Sequence, residues 1–284
     1  MKIIKNIGVM LLAICVLLVA QISQGIFEEM FSNYYLKLII PSIICVIAAV
    51  LLAGVVSSKL LGISPEELGI KPKKIDIRLI ILSILLPCAV LAFYAFALPG
   101  KPYVSKEGGS ILATIVSGAF LAGIVPGFCE EVVFRGIIFR YMKKTLGVKA
   151  AVIIPAVLFA ALHIMNMKTF DILDVTLLIL AGSSVSVMFT FMALRSGSIY
   201  PGAIAHALWN TFIIGDIFGV GEIVNGSANT SYIIIPIEST SKLLTGGNFG
   251  VEAALPGTIG YIVVSVIVFF FIRSRDDESI GTTR

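Results

Sequence analysis

Apolar residues in this chain neither alternate nor return every third or fourth position. They run on for about 20 residues at a time between short polar stretches. A run of that length is what an α-helix needs to cross the roughly 30 Å hydrocarbon core of a bilayer at about 1.5 Å per residue. Eight runs qualify, at about 4–23, 36–57, 77–99, 110–139, 149–166, 172–194, 199–217 and 256–273. The predicted fold is therefore all-α, a polytopic transmembrane helix bundle of about eight spanning helices. The fourth run is too long for a simple crossing, since its 30 residues reach about 45 Å. It must tilt, kink or project into water, and Pro126-Gly127 is the natural place for a kink.

Composition agrees with the pattern. Of 284 residues, 58% are hydrophobic and only 13% are charged, and the mean hydropathy is +1.03. A soluble domain carries about a quarter charged residues, so this chain is clothed by lipid rather than water. The first run follows Lys2 and Lys5 as a signal peptide would, but its end, Ala20-Gln21-Ile22-Ser23, lacks a small-x-small cleavage pattern, and it reads as a retained helix. Cys15, Cys45, Cys88 and Cys129 each sit inside an apolar run with no metal or redox spacing and read as buried, inert thiols.

The distribution of charge tests the helix map. With the runs threaded alternately, Lys2, Lys5, Lys59, Lys71, Lys73, Lys74, Arg78, Arg135, Arg140, Lys143, Lys144, Lys149, Arg195, Arg273, Arg275 and Arg284 fall on one side. Lys37, Lys101, Lys106, Lys168 and Lys242 fall on the other. The expectation is an integral membrane protein of a prokaryotic plasma membrane with both termini cytoplasmic. Residues 218–255 form the only long connection. It is rich in Gly, Ser, Thr and Asn, lies outside on this map, and holds Asn225-Gly-Ser and Asn229-Thr-Ser, which match a glycosylation pattern that matters only in a eukaryotic secretory route.

Ionisable groups inside spans are costly, and they concentrate in three places. In the fourth run, Cys129-Glu130-Glu131-Val132-Val133-Phe134-Arg135 places Glu131 and Arg135 four apart on one helix face, where they can pair. Glu130 points about 100° away and has no local partner. A carboxylate in a partly wet apolar site can serve as a general base or acid; the alternative is a solvated helix end. In the fifth run Phe159 precedes His163 by four residues, and in the seventh His206 precedes Asn210 by four. These are the only two histidines of the chain. Counted from the Lys/Arg-rich side, Glu130, His163 and His206 lie at about 15, 21 and 12 Å, which lets three helices meet at one level. Asp171 and Asp174 suit the N-terminus of the sixth helix, Ser183, Ser184 and Ser186 with Gly182 suit small-residue packing, and Asp216 and Trp209 read as solvated and packed, respectively.

At these residues the sequence resembles the CPBP intramembrane proteases, which include CAAX prenyl proteases and bacteriocin-processing or bacteriocin-immunity (Abi-like) proteins. The resemblance rests on E-E-x-x-x-R at Glu130, Glu131 and Arg135, F-x-x-x-H at Phe159 and His163, and H-x-x-x-N at His206 and Asn210, and covers about residues 110–215. It implies an endopeptidase acting on a membrane-associated or lipidated protein or leader peptide, with the bilayer as its surroundings and no nucleic acid partner. It also implies roles: Glu130 with His163 activates a water, His206 and Asn210 hold the oxyanion, and Glu131 and Arg135 brace the helix, in a site open to the cytoplasm. No cofactor is favoured, but Glu130, His163 and His206 also make a two-His, one-Glu zinc set. A non-enzymatic immunity or scaffolding protein keeping the motifs is the other reading. The resulting division is 1–109 for the first three helices, 110–217 for the catalytic helices, 218–255 for the outer loop, and 256–284 for the last helix and a cytoplasmic tail.

Overall fold

The computed structural model describes residues 2–71, 76–106, 109–167, 170–221, 223–224 and 227–271. Lys73, Lys74, Lys168, Asn225 and the charged tail from Arg273 lie outside the described residues. The chain forms an all-α bundle. Helix α1 is Lys2–Glu28, α2 is Tyr34–Val56, and α3 is Ile77–Phe96. A continuous helical rod, α4, runs over Ile111–Leu146. Then come α5 at Val148–His163, α6 at Ile172–Ser196, α7 at Tyr200–Trp209 and α8 at Leu255–Phe271.

Polar residues at the boundaries set the helix ends. Asn33 accepts from the backbone N–H groups of Tyr35 and Leu36, Asp76 from Arg78, and Asp171 from Leu173 and Asp174. Gly197, at φ 66°, closes α6 in a left-handed turn. Pro201 falls in the first turn of α7, where its missing N–H costs nothing.

Six helices are long and apolar enough to cross a membrane, the first six runs of the sequence. Of the other two, α8 is described only as far as Phe271, and α7 gives way to a π turn at Asn210–Ile214, short of the expected 217. The 218–255 connection is also more ordered than its composition predicts. Its strands β2 (Phe218–Val220) and β5 (Ile233–Ile235) join β1 (Tyr103–Val104) in a three-stranded sheet of order β1-β5-β2, antiparallel between β1 and β5 and parallel between β5 and β2, while β3 (Ile223–Val224) and β4 (Ser227–Ala228) pair antiparallel with each other.

Two ends of the bundle are tied together separately. At one end the sheet links the α3–α4 connection to the 218–255 segment, and Lys242 reaches Asp171 and Asp174, both at 2.9 Å, at the start of α6. We call this the loop face. At the other end Ile199 N–H donates to the Gly69 carbonyl, Tyr200 Oη to Ile70 O at 2.7 Å, and Lys144 Nζ to Gly62 O at 3.0 Å. Arg140, Lys143, Lys144 and Arg195 gather there, so it is the basic face.

The interior holds two large apolar clusters and a small third one, of Ala20, Cys45, Ala49, Val125 and Cys129 between α1, α2 and α4. Of the large two, one centres on α3, α6, α7 and α8 through Leu86, Met188, Phe189, Trp209 and Tyr261. The other centres on α1, α2, α4 and α5 through Ala13, Ala53, Phe134, Ile138 and Phe159. Outward faces of α1, α2, α3 and α8 are lined by exposed residues such as Leu11, Ile47, Leu85 and Phe270, as a lipid solvent requires.

Candidate active site

The three ionisable clusters meet where the two large apolar clusters touch. Arg135, only 1% exposed, donates from Nη1 to Glu131 Oε1 at 2.8 Å, the expected four-residue pair. Its Nη2 donates to Ser186 O at 2.9 Å and Ser186 Oγ at 2.7 Å on α6. The rings of Phe134, Phe159 and Phe189 lie 5.7, 5.3 and 5.1 Å from the guanidinium carbon. The charge is therefore paired, hydrogen-bonded and caged by aromatic faces, which is how a buried arginine is tolerated.

Local backbone geometry aims these groups. The rod α4 is not regular: it widens into π turns at Gly118–Ile124, just before Pro126, and at Val132–Ile138, just after Glu131. A third π turn starts at Asn210 itself. Each adds a residue to the turn and re-aims the side chains beside it, and such turns gather at functional sites. Close helix approach does the rest. A side chain on Gly127 would meet the Ala207 backbone N at 2.8 Å, so glycine lets α4 lie directly against α7 beside His206. A side chain on Gly202 would meet Glu131 Oε2 at 3.0 Å.

His206 stands between the two glutamates. Its Nδ1 is 3.5 Å from Glu131 Oε1, its Nε2 is 3.9 Å from Glu130 Oε2, and its ring stacks on Phe189 at 5.0 Å and 17°. His163 Nδ1 lies 2.8 Å from the Phe159 carbonyl. A carbonyl only accepts, so Nδ1 carries the proton and Nε2 is left as the basic nitrogen. The phenyl ring of Phe159 lies 4.6 Å from the His163 ring, which gives this residue a positioning role by two contacts. Glu130 Oε2 and His206 Nδ1 are buried and make no hydrogen bond among the described residues.

Glu130, Phe159, His163, His206, Trp209 and Asn210 line one cavity of about 80 Å³. At about 30 Å³ per molecule it has room for two or three waters. Two further walls come from residues that the sequence reading passed over. Phe249 and Glu252 reach in from the 218–255 segment, with the Phe249 ring 6.5 Å from His163. Burial, and then the charge of Glu130, push the Glu252 carboxyl from 4.5 up to about 7. One signal for it was available: Glu252 is the only Asp, Glu, Lys or Arg between Lys242 and Arg273. Ser186 was read as packing and is the anchor of Arg135, whereas its neighbour Gly182 does pack, against Ala160. Asp171 caps α6 as expected, Asp216 is exposed, and Trp209 packs edge-on to Tyr261 at 5.0 Å.

A carboxylate, two imidazoles and an amide thus line one small cavity inside a membrane helix bundle. Residues 111–212 match the family model described as type II CAAX prenyl endopeptidase Rce1-like. That segment holds all three motifs, and the CPBP resemblance drawn from them is borne out by the match. No match to a curated protein was found.

Proposed function

We propose that the protein is an intramembrane endopeptidase that hydrolyses an amide bond in a membrane-associated or lipidated protein or leader peptide. The observation that carries this reading is the cavity shared by Glu130, His163, His206 and Asn210. A water held between the orphaned Glu130 oxygen and the basic Nε2 of His163 gives up its proton to the carboxylate as it attacks the peptide carbonyl. Protonated Glu130 then passes that proton to the leaving amine. His206 and the Asn210 amide, which line the same cavity, donate to the oxyanion. Glu131, Arg135 and Ser186 fix the helix that carries Glu130.

The alternative is a metal-dependent version of the same hydrolysis, because the two imidazoles and the carboxylate that line the cavity are also a donor set that zinc takes. The match of residues 111–212 to an endopeptidase family favours a hydrolase over a non-enzymatic scaffold.

Comparative proteomics of membrane peptides in cells carrying wild type, Glu130→Ala or His163→Ala tests the proposal. Each substitution is expected to lower cleavage by about 10²–10⁴-fold while leaving insertion intact. Unchanged cleavage in either variant ends the peptidase reading. Activity of the purified protein that vanishes with a chelator and returns with zinc ends the metal-free version.

A further inference from the structure

The cavity holds a second carboxyl group that the activation of water does not use. Glu252 lines it together with Glu130, His163, His206 and Asn210. It lies outside residues 111–212 and comes in on a short 3-10 helix, Val251–Ala253, from the 218–255 segment. Gly246, Gly247 and Gly250, at φ of 74°, 60° and 94°, supply the left-handed backbone that turns this segment inwards. Asp174, wholly buried on α6, then pins it: Oδ2 accepts from the Asn248 N–H at 3.2 Å, and Oδ1 pairs with Lys242 Nζ at 2.9 Å. Tyr94 Oη, on α3, donates to the Leu244 carbonyl at 2.7 Å. The carboxyl of Glu252 is thus delivered to the cavity by a segment fixed to two helices.

Its surroundings suit an acid rather than a second base. The titratable groups that share the cavity with it are Glu130 on α4, His163 on α5, His206 on α7 and Tyr261 on α8, and Asp216 lies in an adjoining cavity that Glu252 also lines. Among the described residues no Lys or Arg lines either space. The lysine of its own segment, Lys242, is taken up by Asp171 and Asp174. Two carboxyl groups in a space of about 80 Å³ without a cation do not readily ionise together. Glu130 keeps a buried oxygen, Oε2, with no hydrogen bond of its own, as a base waiting for water needs. Glu252 holds its proton up to about 7, through burial first and the charge of Glu130 second. Such a pair, one group ionised and one not, is how a site supplies a base and an acid at the same pH.

We propose that Glu252 is a further catalytic residue, the acid through which the proton taken up by Glu130 reaches the leaving amine. This rests on the peptidase reading above. Water adds to the carbonyl carbon and gives one proton to Glu130, while the π pair of the carbonyl moves onto its oxygen. That pair then re-forms the carbonyl as the C–N bond breaks. The C–N electron pair goes to nitrogen, which takes the proton of Glu252. The Glu252 carboxylate accepts in turn the proton that Glu130 took from water. One amide and one water have become one carboxylic acid and one amine, and both glutamates are back in their starting states. Glu130 therefore has only to face the water, and Glu252 only the nitrogen.

The full chain reconstituted in liposomes provides the test, with two synthetic copies of a peptide whose release in cells depends on Glu130. One copy keeps the scissile amide and the other has an ester in its place, because an alcohol oxygen leaves with far less help from an acid than an amine nitrogen. Glu252→Gln keeps the shape of the side chain and removes its acid. It is expected to lower kcat on the amide by about 10²–10⁴-fold with KM unchanged, and to leave kcat on the ester close to that of wild type. Retained ester cleavage also shows that the variant is folded. If amide and ester cleavage fall together, Glu252 only supports the structure and the acid role is overturned; unchanged amide cleavage overturns it as well. Glu130→Ala is expected to stop both reactions, since both need the activated water. If both survive Glu130→Ala, or if no peptide in cells depends on Glu130, the peptidase reading itself is overturned, whatever Glu252→Gln does.

Discussion

Arg135 shows how much of a membrane site depends on one paired charge. Its partners are Glu131, Ser186 and three phenyl faces, and its guanidinium is almost wholly buried. Replacing it with methionine keeps the volume but strands the Glu131 carboxylate in the bundle. We expect Arg135→Met to cost about 3–5 kcal/mol, measured by thermal unfolding in detergent, and the double variant Glu131→Gln/Arg135→Met to recover most of that loss. Glu252 makes a prediction of opposite character. Its proton is held more tightly in the folded chain, so the stability it contributes is complete below the ordinary value of 4.5 and is lost as pH rises through about 7. Glu130, His163, His206 and Tyr261 line the same cavity, and no Lys or Arg does. Melting temperatures taken between about pH 5 and pH 8 should therefore fall less steeply for Glu252→Gln than for wild type. At this scale the sequence was legible wherever a charge interrupted an apolar run: Glu130, Glu131, Arg135 and both histidines announce themselves by their cost. Ser186 and Gly202 did not, because a small residue in a membrane helix looks the same whether it merely packs or makes room for a buried charge.

Among the elements, the length of each apolar run was readable and its irregularities were not. The first six runs became helices long enough to cross a bilayer, since the run itself fixes the length. The π turns at Val132–Ile138 and Asn210–Ile214 leave no mark in hydrophobic periodicity, yet they set the directions of the residues beside Glu131 and Asn210. The β1-β5-β2 sheet escaped for a related reason: its strands are two or three residues long, too short for an alternating pattern. The α4–α7 crossing gives a direct test. Gly127→Ala presses a methyl group against the Ala207 backbone at 2.8 Å, whereas Gly54→Ala meets nothing within 4 Å. Gly127→Ala should cost about 1–3 kcal/mol by thermal unfolding and Gly54→Ala should be silent by the same measurement. Because His206 adjoins Ala207, a shift of about 1 Å at this crossing is also expected to reduce cleavage by about 10²-fold.

For the whole molecule, the two large apolar clusters meet along a seam, and the polar site occupies the seam. The all-α membrane class followed from composition and run length, because a continuous apolar run of about 20 residues bonds all its own backbone groups in hydrocarbon only as a helix, whereas a barrel strand is about 10 residues long and alternates. Which helices would share the seam did not follow, since apolar runs carry no partner code; only the costly residues hinted that α4, α5 and α7 must meet. The small inner cavity has a consequence for how such a hydrolase lives among other membrane proteins. A transmembrane helix is about 10 Å across with its side chains, and its amides are already bonded to one another. Such a cylinder does not fit a space of about 80 Å³. Neighbouring spans are thus spared by their own secondary structure, and susceptibility belongs to segments that are already uncoiled when they arrive.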